Sequence, residues 1–368
     1  MKQKVAIDLT ALGERMSGLE RYAYRITKEL LRQVPDTQFI LVVRNRVPQF
    51  LRGWKKYANA RFCVVHGENK LVTNQLRLPA VMYRIHADRY LFPAFPVPLL
   101  FKHPQTYGLI ADTACFDCPE TMKQRAVAFF GAGLLHTAAV CRKVITISEF
   151  SRIRIEKRLG VEAERIIYAP CAAEIAQMPT EQEKLELRRR AGLPEQYWLC
   201  LCTLEPRKNL TLLLRAYREL LEEGVRMPAL VLAGRDGWKN RKLYREVRRI
   251  APEQLYLLGE VEEKDLAPLY AGADCFLFPS RYEGFGMPPL EAQSYGVRKV
   301  VVSDAGALRE TMGRTAFYFK NRDLRSLKQA LMQASVWKGC SSIAMEKNLQ
   351  RFSWKRSARL LWEGMECS

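Results

Sequence analysis

Residues 275–291 read CFLFPSRYEGFGMPPLE, and this stretch decides how the rest of the chain is interpreted. The apolar run 275–278 has the length and composition of a buried strand. A glycine-containing loop follows it, and Pro288 and Pro289 then stand where a helix can begin, because the first helical turn tolerates proline. The stretch therefore predicts a strand, a short loop and a helix, which is the repeating unit of an α/β fold.

Two carboxylates belong to this loop and to the helix that follows it. Glu283 lies within it, and Glu291 lies in the first turn of the predicted helix. Gly284 and Gly286 allow a close approach of the backbone to a ligand, and the new helix directs free N–H groups toward the same place. Backbone amides can donate hydrogen bonds to a phosphate, and carboxylates can accept them from hydroxyls. The pattern therefore predicts a site for an anionic ligand that also carries sugar hydroxyls. The alternative is a plain turn with two solvated acids.

Strand and helix signals alternate along both halves of the chain. Apolar runs typical of parallel strands, such as 39–43 and 229–233, are separated by amphipathic stretches such as 19–33 and 210–222. This alternation predicts an α/β protein with two doubly wound, Rossmann-like domains, which bind ligands at the carboxyl ends of their strands.

The length of 368 residues is long for a single core and agrees with two domains. We predict a first domain over residues 1–172 and a second over 180–345, joined by a hinge. A C-terminal helix is predicted over 350–368, where one amphipathic face should pack back toward the first domain.

The composition restricts the class of protein. The chain has 59 Lys and Arg against 39 Asp and Glu, a net charge of +20, which favours an anionic partner such as a phosphate-bearing lipid, a nucleotide or nucleic acid. The first four residues run directly into a strand-like segment, so no secretory leader is expected and the ten cysteines are interpreted as reduced thiols. The longest uncharged run, 126–141, is shorter than the roughly 20 residues that span a bilayer. We therefore expect a cytoplasmic protein.

One stretch combines aromatic and cationic residues, as membrane interfaces do. Phe50, Trp54, Lys55, Lys56 and Tyr57 lie within eight residues, and they predict either a contact with an anionic bilayer or a solvated helix whose aromatic side chains point inward. The sequence leaves both interpretations open. If the stretch contacts a bilayer, the protein is peripheral on the inner face of the membrane.

A second loop carries cations at the end of a strand. Arg207 and Lys208 follow the apolar run 198–202 and precede an amphipathic stretch. A guanidinium fork and a point charge in that position can neutralise a diphosphate. Such a pair is more often a solvated surface feature, but its expected place at the same sheet edge as Glu283 and Glu291 favours a ligand role.

The chain resembles the retaining, nucleotide-sugar-dependent glycosyltransferases of family 4 (glycosyl transferases group 1), which have the two-domain GT-B fold. The residues that carry the resemblance are EPRKN at 205–209, SRYEGFGMPPLEA at 280–292, TISEFS at 146–151, GLERY at 18–22 and RFSW at 351–354. The resemblance is strongest over residues 198–312, and it implies two Rossmann-like domains facing across a cleft. It also implies that the first domain binds the acceptor and the second binds the donor.

The resemblance implies a role for each candidate residue. Arg207 and Lys208 would bind the donor diphosphate, and Glu283 would contact the donor sugar. Glu291 would hold the ribose. The remaining donor-binding candidates are Gly284, Phe285 and Gly286 with their backbone amides, Val261 beside the base, and Gly18 in the first domain. No catalytic metal and no cofactor are expected, and Asp-x-Asp spacing is absent from the sequence.

The sequence departs from the family pattern at Ala111-Asp112, where many members have His-Asp at the end of a strand of the first domain. Asp112 is then the catalytic candidate that the first domain contributes. Other departures are Arg298 and Arg309, where the family often has proline, and Cys171-Ala172 at the hinge in place of Asn-Gly.

The function implied is transfer of a hexose with retention of configuration, with mannose from GDP-mannose as the first choice of donor and UDP- or dTDP-sugars as alternatives. The acceptor would be a lipid-linked or oligosaccharide chain in the synthesis of O-antigen, capsule or exopolysaccharide. Two other functions stay open: a GT-B enzyme of the sugar-nucleotide epimerase type, and a nucleic-acid-binding protein suggested only by the charge. The absence of a concentrated basic block or recognition motif argues against nucleic acid.

Overall fold

The computed structural model describes residues 2–14, 16–174 and 177–367. The chain divides into two compact units. The first comprises Met1–Asp117, Gln124–Cys171 and Ser353–Ser368, and the second comprises Cys118–Lys123 and Ala172–Phe352. Residues 118–123 thus group with the second unit, although they fall inside the predicted first domain. Residues 175 and 176 of the predicted hinge lie outside the described residues.

The first unit is built on a parallel sheet whose described strands have the order β3-β2-β1-β4-β5-β6-β7. These strands are β1 (Lys4–Asp8), β2 (Gln38–Arg44), β3 (Ala60–Val65), β4 (Arg89–Phe92), β5 (Thr106–Leu109), β6 (Lys143–Thr146) and β7 (Ile166–Tyr168). Its first helices are α1 (Gly18–Gln33), α2 (Lys70–Val72), α3 (Leu78–Ile85), α4 (Ala114–Asp117), α5 (Gln124–Val140) and α6 (Glu149–Leu159).

The second unit repeats this design, with described strands in the order β10-β9-β8-β11-β12-β13, again all parallel. These strands are β8 (Tyr197–Leu201), β9 (Ala229–Ala233), β10 (Leu255–Gly259), β11 (Cys275–Phe278), β12 (Lys299–Ser303) and β13 (Phe317–Phe319). The helices are α7 (Glu181–Ala191), α8 (Leu210–Glu222), α9 (Arg241–Val247), α10 (Glu263–Ala271), α11 (Met287–Ser294), α12 (Leu308–Met312), α13 (Leu324–Val336) and α14 (Ser342–Gln350). The predicted α/β class with doubly wound parallel sheets is confirmed.

The strand order of the second unit creates a topological switch point. The chain adds β9 and β10 on one side of β8 and then crosses to place β11 on the other side, where Cys275 pairs with Trp198. The loops that leave β8 and β11 therefore lie at the carboxyl ends of the strands on either side of this switch point, where parallel α/β sheets bind their ligands. One face of the sheet is closed by α8 and α13, whose Leu213 and Leu331 are fully buried.

The last helix, α15 (Trp354–Glu366), belongs to the first unit. Its Trp354 ring packs edge-on against Tyr22, with the ring centroids 5.9 Å apart. Ser357 Oγ donates a hydrogen bond of 2.6 Å to the Pro170 carbonyl. The apolar face of α15 thus covers α1 and the end of β7, as its amphipathic spacing requires.

The aromatic and cationic stretch adopts a 3₁₀ helix over Gln49–Lys56. Trp54 is only 3% exposed and stacks on Tyr24 at 5.1 Å between ring centroids. Trp54 therefore points inward, as the second interpretation predicts, and its indole is not available to a membrane, while Phe50 and Tyr57 are half-buried and Lys55 and Lys56 are exposed. Within residues 2–14, 16–174 and 177–367, no helix is both long and apolar enough to cross a bilayer.

Candidate active site

The candidate site lies at the switch point of the second unit. One loop, residues 202–209, joins β8 to α8 and includes a 3₁₀ turn over Pro206–Lys208. A second loop, residues 279–286, joins β11 to α11. Because β8 and β11 are paired neighbours in a parallel sheet, both loops leave the sheet at the same edge.

Backbone groups hold the two loops together. The amide of Arg281 donates a hydrogen bond of 2.7 Å to the carbonyl of Arg207. In return, Nη1 of Arg207 donates to the carbonyl of Tyr282 at 3.3 Å. These contacts set the distance between the loops independently of any ligand.

Lys208 and Glu283 form a buried ion pair. Nζ of Lys208 lies 2.6 Å from Oε1 of Glu283, and the two side chains are 11% and 9% exposed. The ammonium group also lies 4.8 Å from the centroid of the Phe278 ring, at the end of β11. Each of these two buried groups therefore has a group of opposite charge in direct contact, which offsets part of the cost of removing it from water.

Arg207 extends this pair into a cluster with two acids. Its Nη2 lies 2.9 Å from Oε1 of Glu205, and its Nη1 lies 3.6 Å from Oε2 of Glu283. Glu205 is 7% exposed. We call Glu205, Arg207, Lys208 and Glu283 the charge cluster; its two cations and two anions sum to zero. Sequence reasoning assigned no role to Glu205, although its place two residues before Arg207 was a signal for it.

The electrostatics keep Glu283 ionised. Burial alone would raise the pKa of this carboxyl group, but the positive charges of Lys208 and Arg207 outweigh burial and hold the pKa below its usual value. Glu283 therefore acts as a hydrogen-bond acceptor, which is the state that can receive sugar hydroxyls.

The backbone of Glu283 is fixed by the loop that precedes α12. The amide of Ala307 donates a hydrogen bond of 3.0 Å to the Glu283 carbonyl. Gly306 has a φ of +59°, and a Cβ atom at that position would lie 2.3 Å from the same carbonyl oxygen. Only glycine allows this approach, so Gly306 is part of the support of Glu283 and was missed in the sequence.

The three residues after Glu283 lead into the N-terminus of α11. Gly286 has a φ of +93°, which favours glycine, and it precedes the first residue of the helix. The Phe285 side chain is 2% exposed and packs edge-on against Phe352, with centroids 5.1 Å apart. Phe285 can thus serve a ligand only through its backbone, as the prediction for Gly284, Phe285 and Gly286 requires.

Glu291 lies in the second turn of α11 and not in the predicted first turn, because the helix begins at Met287. Tyr270 of α10 contacts its carboxylate. Oη of Tyr270 donates a hydrogen bond of 3.1 Å to Oε2 of Glu291. The Tyr270 ring in turn stacks on Tyr295, with centroids 5.4 Å apart and planes within 9°. Sequence reasoning missed Tyr270, because nothing local to α10 indicates that its hydroxyl reaches α11.

The remaining donor-binding candidates border the same edge of the sheet. Val261 follows β10, and the amide of Gly234 at the end of β9 donates to the Gly259 carbonyl at 2.6 Å. The amide of Leu204 donates to the carbonyl of Arg235 at 3.0 Å, which joins the loop after β8 to the loop after β9. The loops after β8, β9 and β10 thus form a continuous rim.

Two predicted residues belong to the first unit and are described there. Gly18 is the first residue of α1, where the amide of Ser17 donates to Oε2 of Glu20 at 2.5 Å. Asp112 follows β5, and its Oδ1 accepts a hydrogen bond of 2.9 Å from the amide of Ala114. Both lie after the carboxyl end of a strand, and their proposed roles stay predictions.

The first unit also contains a separate cavity of about 650 Å³. It lies beyond β2 and β3, between Asn45 and the segment 66–77. Oδ1 of Asn45 accepts from the Gly67 amide at 2.7 Å, and Nη1 of Arg77 donates to the His66 carbonyl at 2.6 Å. These polar groups bind one another and add no candidate to the site above.

Residues 195–335 match the family model described as glycosyl transferases group 1. This segment contains the charge cluster, Tyr270 and Glu291.

Curated relatives agree with this family. The chain is 34% identical over 251 residues to O-antigen chain mannosyltransferase B of Escherichia coli, and the match covers 66% of this chain and 65% of that protein. It is 28% identical over 233 residues to the serotype-specific mannosyltransferase WbdA of Escherichia coli, covering 60% of this chain and 28% of that protein. The matches thus span less than two thirds of the length of these relatives.

Solved structures show the fold. HepE of Anabaena, in complex with UDP and glucose, superimposes with a TM-score of 0.71 at 16% identity and full coverage, 100% of both chains. WaaG, a glycosyltransferase involved in lipopolysaccharide biosynthesis, has a TM-score of 0.65 at 16% identity, covering 96% of this chain and 94% of that chain. The chain therefore has the GT-B fold, as the resemblance implied.

Proposed function

We propose that this chain is a retaining glycosyltransferase that moves a hexose from a nucleotide sugar to a lipid-linked or oligosaccharide acceptor in the synthesis of a surface glycan such as O-antigen. The observation that carries the proposal is the charge cluster, which holds Arg207 and Lys208 beside Glu283 at the switch point of the second unit. Anionic ligands with hydroxyls bind at such points in α/β sheets.

The charge balance of the cluster explains how a donor would bind. A diphosphate brings negative charge to Arg207 and Lys208, which now neutralise Glu205 and Glu283. The donor phosphates therefore compete with Glu283 for the ammonium of Lys208. As Lys208 turns toward phosphate, the Glu283 carboxylate gains the freedom to accept hydrogen bonds from the sugar.

The proposed chemistry breaks the bond between the anomeric carbon and the phosphate oxygen. The acceptor oxygen bonds to the same face of that carbon, and its proton passes to the leaving phosphate. Negative charge develops on the phosphate as the bond breaks, and Arg207 and Lys208 stabilise it. Asp112 stays the catalytic candidate of the first unit.

In the donor half of the site, Glu291 is proposed to hold the ribose, with Tyr270 orienting its carboxylate. Val261 and the rim after β10 would frame the base, and Gly18 would contribute from α1. The cations take the part that a metal ion plays in other transferases, so we propose a metal-independent reaction without a cofactor. Its test is transfer in the presence of a chelator.

Mannose is the proposed sugar, with GDP-mannose as the donor, because the curated relatives are named as mannosyltransferases. The UDP in the HepE complex makes UDP-sugars the second choice. A cytoplasmic protein at an anionic membrane would meet both the nucleotide sugar and a lipid-linked acceptor, and we propose that location.

The decisive experiment measures nucleotide release from a panel of GDP-, UDP-, ADP- and dTDP-sugars, with and without a lipid-linked glycan acceptor. We expect turnover with one donor class, dependent on acceptor, and loss of turnover in Glu283→Ala. Product from the nucleotide sugar alone would instead support the epimerase alternative. Absence of turnover with every donor, or full activity of Glu283→Ala, would refute the proposal.

A further inference from the structure

Exposed apolar side chains are concentrated in one part of the first unit. Fourteen large apolar residues are exposed among the described residues, and six of them lie within residues 71–100, which is under a tenth of the chain. We call these six the apolar stripe: Leu71, Val72, Leu76, Tyr83, Leu99 and Leu100. Scattered exposed leucines are ordinary, but a cluster of this density indicates a binding surface.

The stripe is continuous because the helical run 70–85 lies beside the loop 98–102. Helix α2, a π turn over Thr73–Arg77 and helix α3 follow one another without a break. Thr73, Leu78 and Met82 are buried and face the first unit, whereas Leu76 and Tyr83 are 55% and 41% exposed on the other side.

Hydrogen bonds join the loop to this run at two points. The amide of Leu99 donates to Oε1 of Gln75 at 2.9 Å. The amide of Lys102 donates to Oη of Tyr83 at 2.9 Å, and the Tyr83 ring lies 4.8 Å from Phe101. Leu99 and Leu100, 50% and 60% exposed, are thereby held next to Leu76 and Tyr83.

The border of the stripe is cationic. Lys70, Arg77, Arg84 and Lys102 are all exposed residues. Between Glu68 and Asp112 the sequence contains a single acid, Asp88, and its Oδ2 accepts a hydrogen bond of 2.7 Å from the amide of Lys4. The surface therefore combines exposed aliphatic side chains with a mostly cationic border, in which the exposed Glu68 is the neighbouring acid at the Val72 and Arg77 end.

We propose that the apolar stripe docks this protein on an anionic lipid bilayer. Leucines and a tyrosine suit the boundary between headgroups and acyl chains, and the flanking lysines and arginines suit lipid phosphates. An apolar protein partner would not require a mostly cationic border, and nucleic acid offers no surface for clustered leucines. This inference rests on the proposed function, which places the protein at an anionic membrane. It assigns the membrane contact to the apolar stripe and not to Trp54, which is buried.

The test measures binding of the full chain to vesicles, not transfer, so it can fail while the proposed function holds. Vesicles of phosphatidylcholine with and without phosphatidylglycerol are sedimented with wild-type protein at low and high salt. We expect binding to the anionic vesicles that weakens with salt. In Leu71→Ser/Leu76→Ser/Leu100→Ser the affinity should fall at least tenfold, and in Arg84→Glu/Lys102→Glu it should fall severalfold.

The matched control is Val336→Ser/Ile343→Ser, which removes two exposed apolar side chains of the second unit that are 82% and 67% exposed. It should bind vesicles like wild type, as should Lys55→Glu/Lys56→Glu. Thermal unfolding and donor binding of each variant check the fold.

Three results would overturn the inference: no vesicle binding by wild type, equal losses in the control variant, or loss only in Lys55→Glu/Lys56→Glu. A wild-type dimer that the stripe substitutions convert to monomer without changing lipid binding would assign the surface to a second copy of the chain instead.

Discussion

Nζ of Lys208 lies 2.6 Å from Oε1 of Glu283, a contact between residues 75 positions apart in the chain. The contact joins the loop after β8 to the loop after β11, and it brings the proposed phosphate-binding cation to the proposed sugar-binding acid. The two cations of the first of these loops hold the pKa of Glu283 below its usual value, although burial alone would raise it. Under the proposed function, the donor phosphates would compete with Glu283 for the ammonium group of Lys208.

The first prediction concerns Glu283→Gln. The amide has nearly the same shape but leaves the buried ammonium of Lys208 without its counter-charge, so stability should fall by about 3 kcal/mol. Loss of the charged acceptor should lower transfer on the order of a hundredfold. Denaturant unfolding and donor turnover measure the two effects. Glu222→Gln, at an exposed position of α8 where the carboxylate pairs with Arg218, is the control; equal effects in both variants would contradict the role of Glu283.

The second prediction is the pH dependence of this ion pair. Because the folded pKa of Glu283 lies below its ordinary value of 4.5, the unfolded chain takes up the proton first as the pH falls. The stabilisation is complete above pH 4.5 and is lost as the pH falls through the folded pKa. The difference in unfolding free energy between wild type and Glu283→Gln should therefore shrink as the pH falls below 4.5. A difference that stays constant on acidification would show that Glu283 does not titrate in this way.

The third prediction concerns Tyr270→Phe, which removes the hydrogen bond to Glu291. If Glu291 holds the ribose, its carboxylate loses orientation, and the KM for the donor should rise roughly fivefold, or about 1 kcal/mol, with a smaller change in kcat. Tyr217→Phe is the matched control, since Tyr217 is also buried in the second unit and its hydroxyl donates to the Pro228 carbonyl at 2.8 Å. Both variants should lose stability, and only Tyr270→Phe should change donor binding.

The fourth prediction compares two glycines with nearly the same positive φ. Gly306 and Gly192 have φ values of +59° and +62°, but a Cβ at Gly192 would meet nothing within 4 Å. Gly192→Ala should cost about 1 kcal/mol from the left-handed conformation alone. Gly306→Ala adds a clash with the Glu283 carbonyl, so it should cost more stability and should also abolish transfer. Equal stability losses and retained activity would show that the loop adapts to the added methyl group.

The α/β class was predictable because apolar runs and amphipathic stretches reflect local periodicity. The strand 275–278 with its loop and the helix beginning near Pro288 agree with β11 and α11. Positive φ at Gly286 also follows from local sterics. Such features depend on residues that are neighbours in sequence, so one sequence is sufficient to identify them.

The sequence by itself determined two parallel α/β units and the loops that carry Arg207, Lys208, Glu283 and Glu291. Only the tertiary structure decided which of these groups meet: Lys208 contacts Glu283 because the sheet places β11 beside β8, and Tyr270 reaches Glu291 because α10 packs near α11. It also decided that Trp54 is buried while Leu76 is exposed. The physical reason is that strand order and the buried face of a helix depend on contacts between distant segments, which local periodicity does not encode.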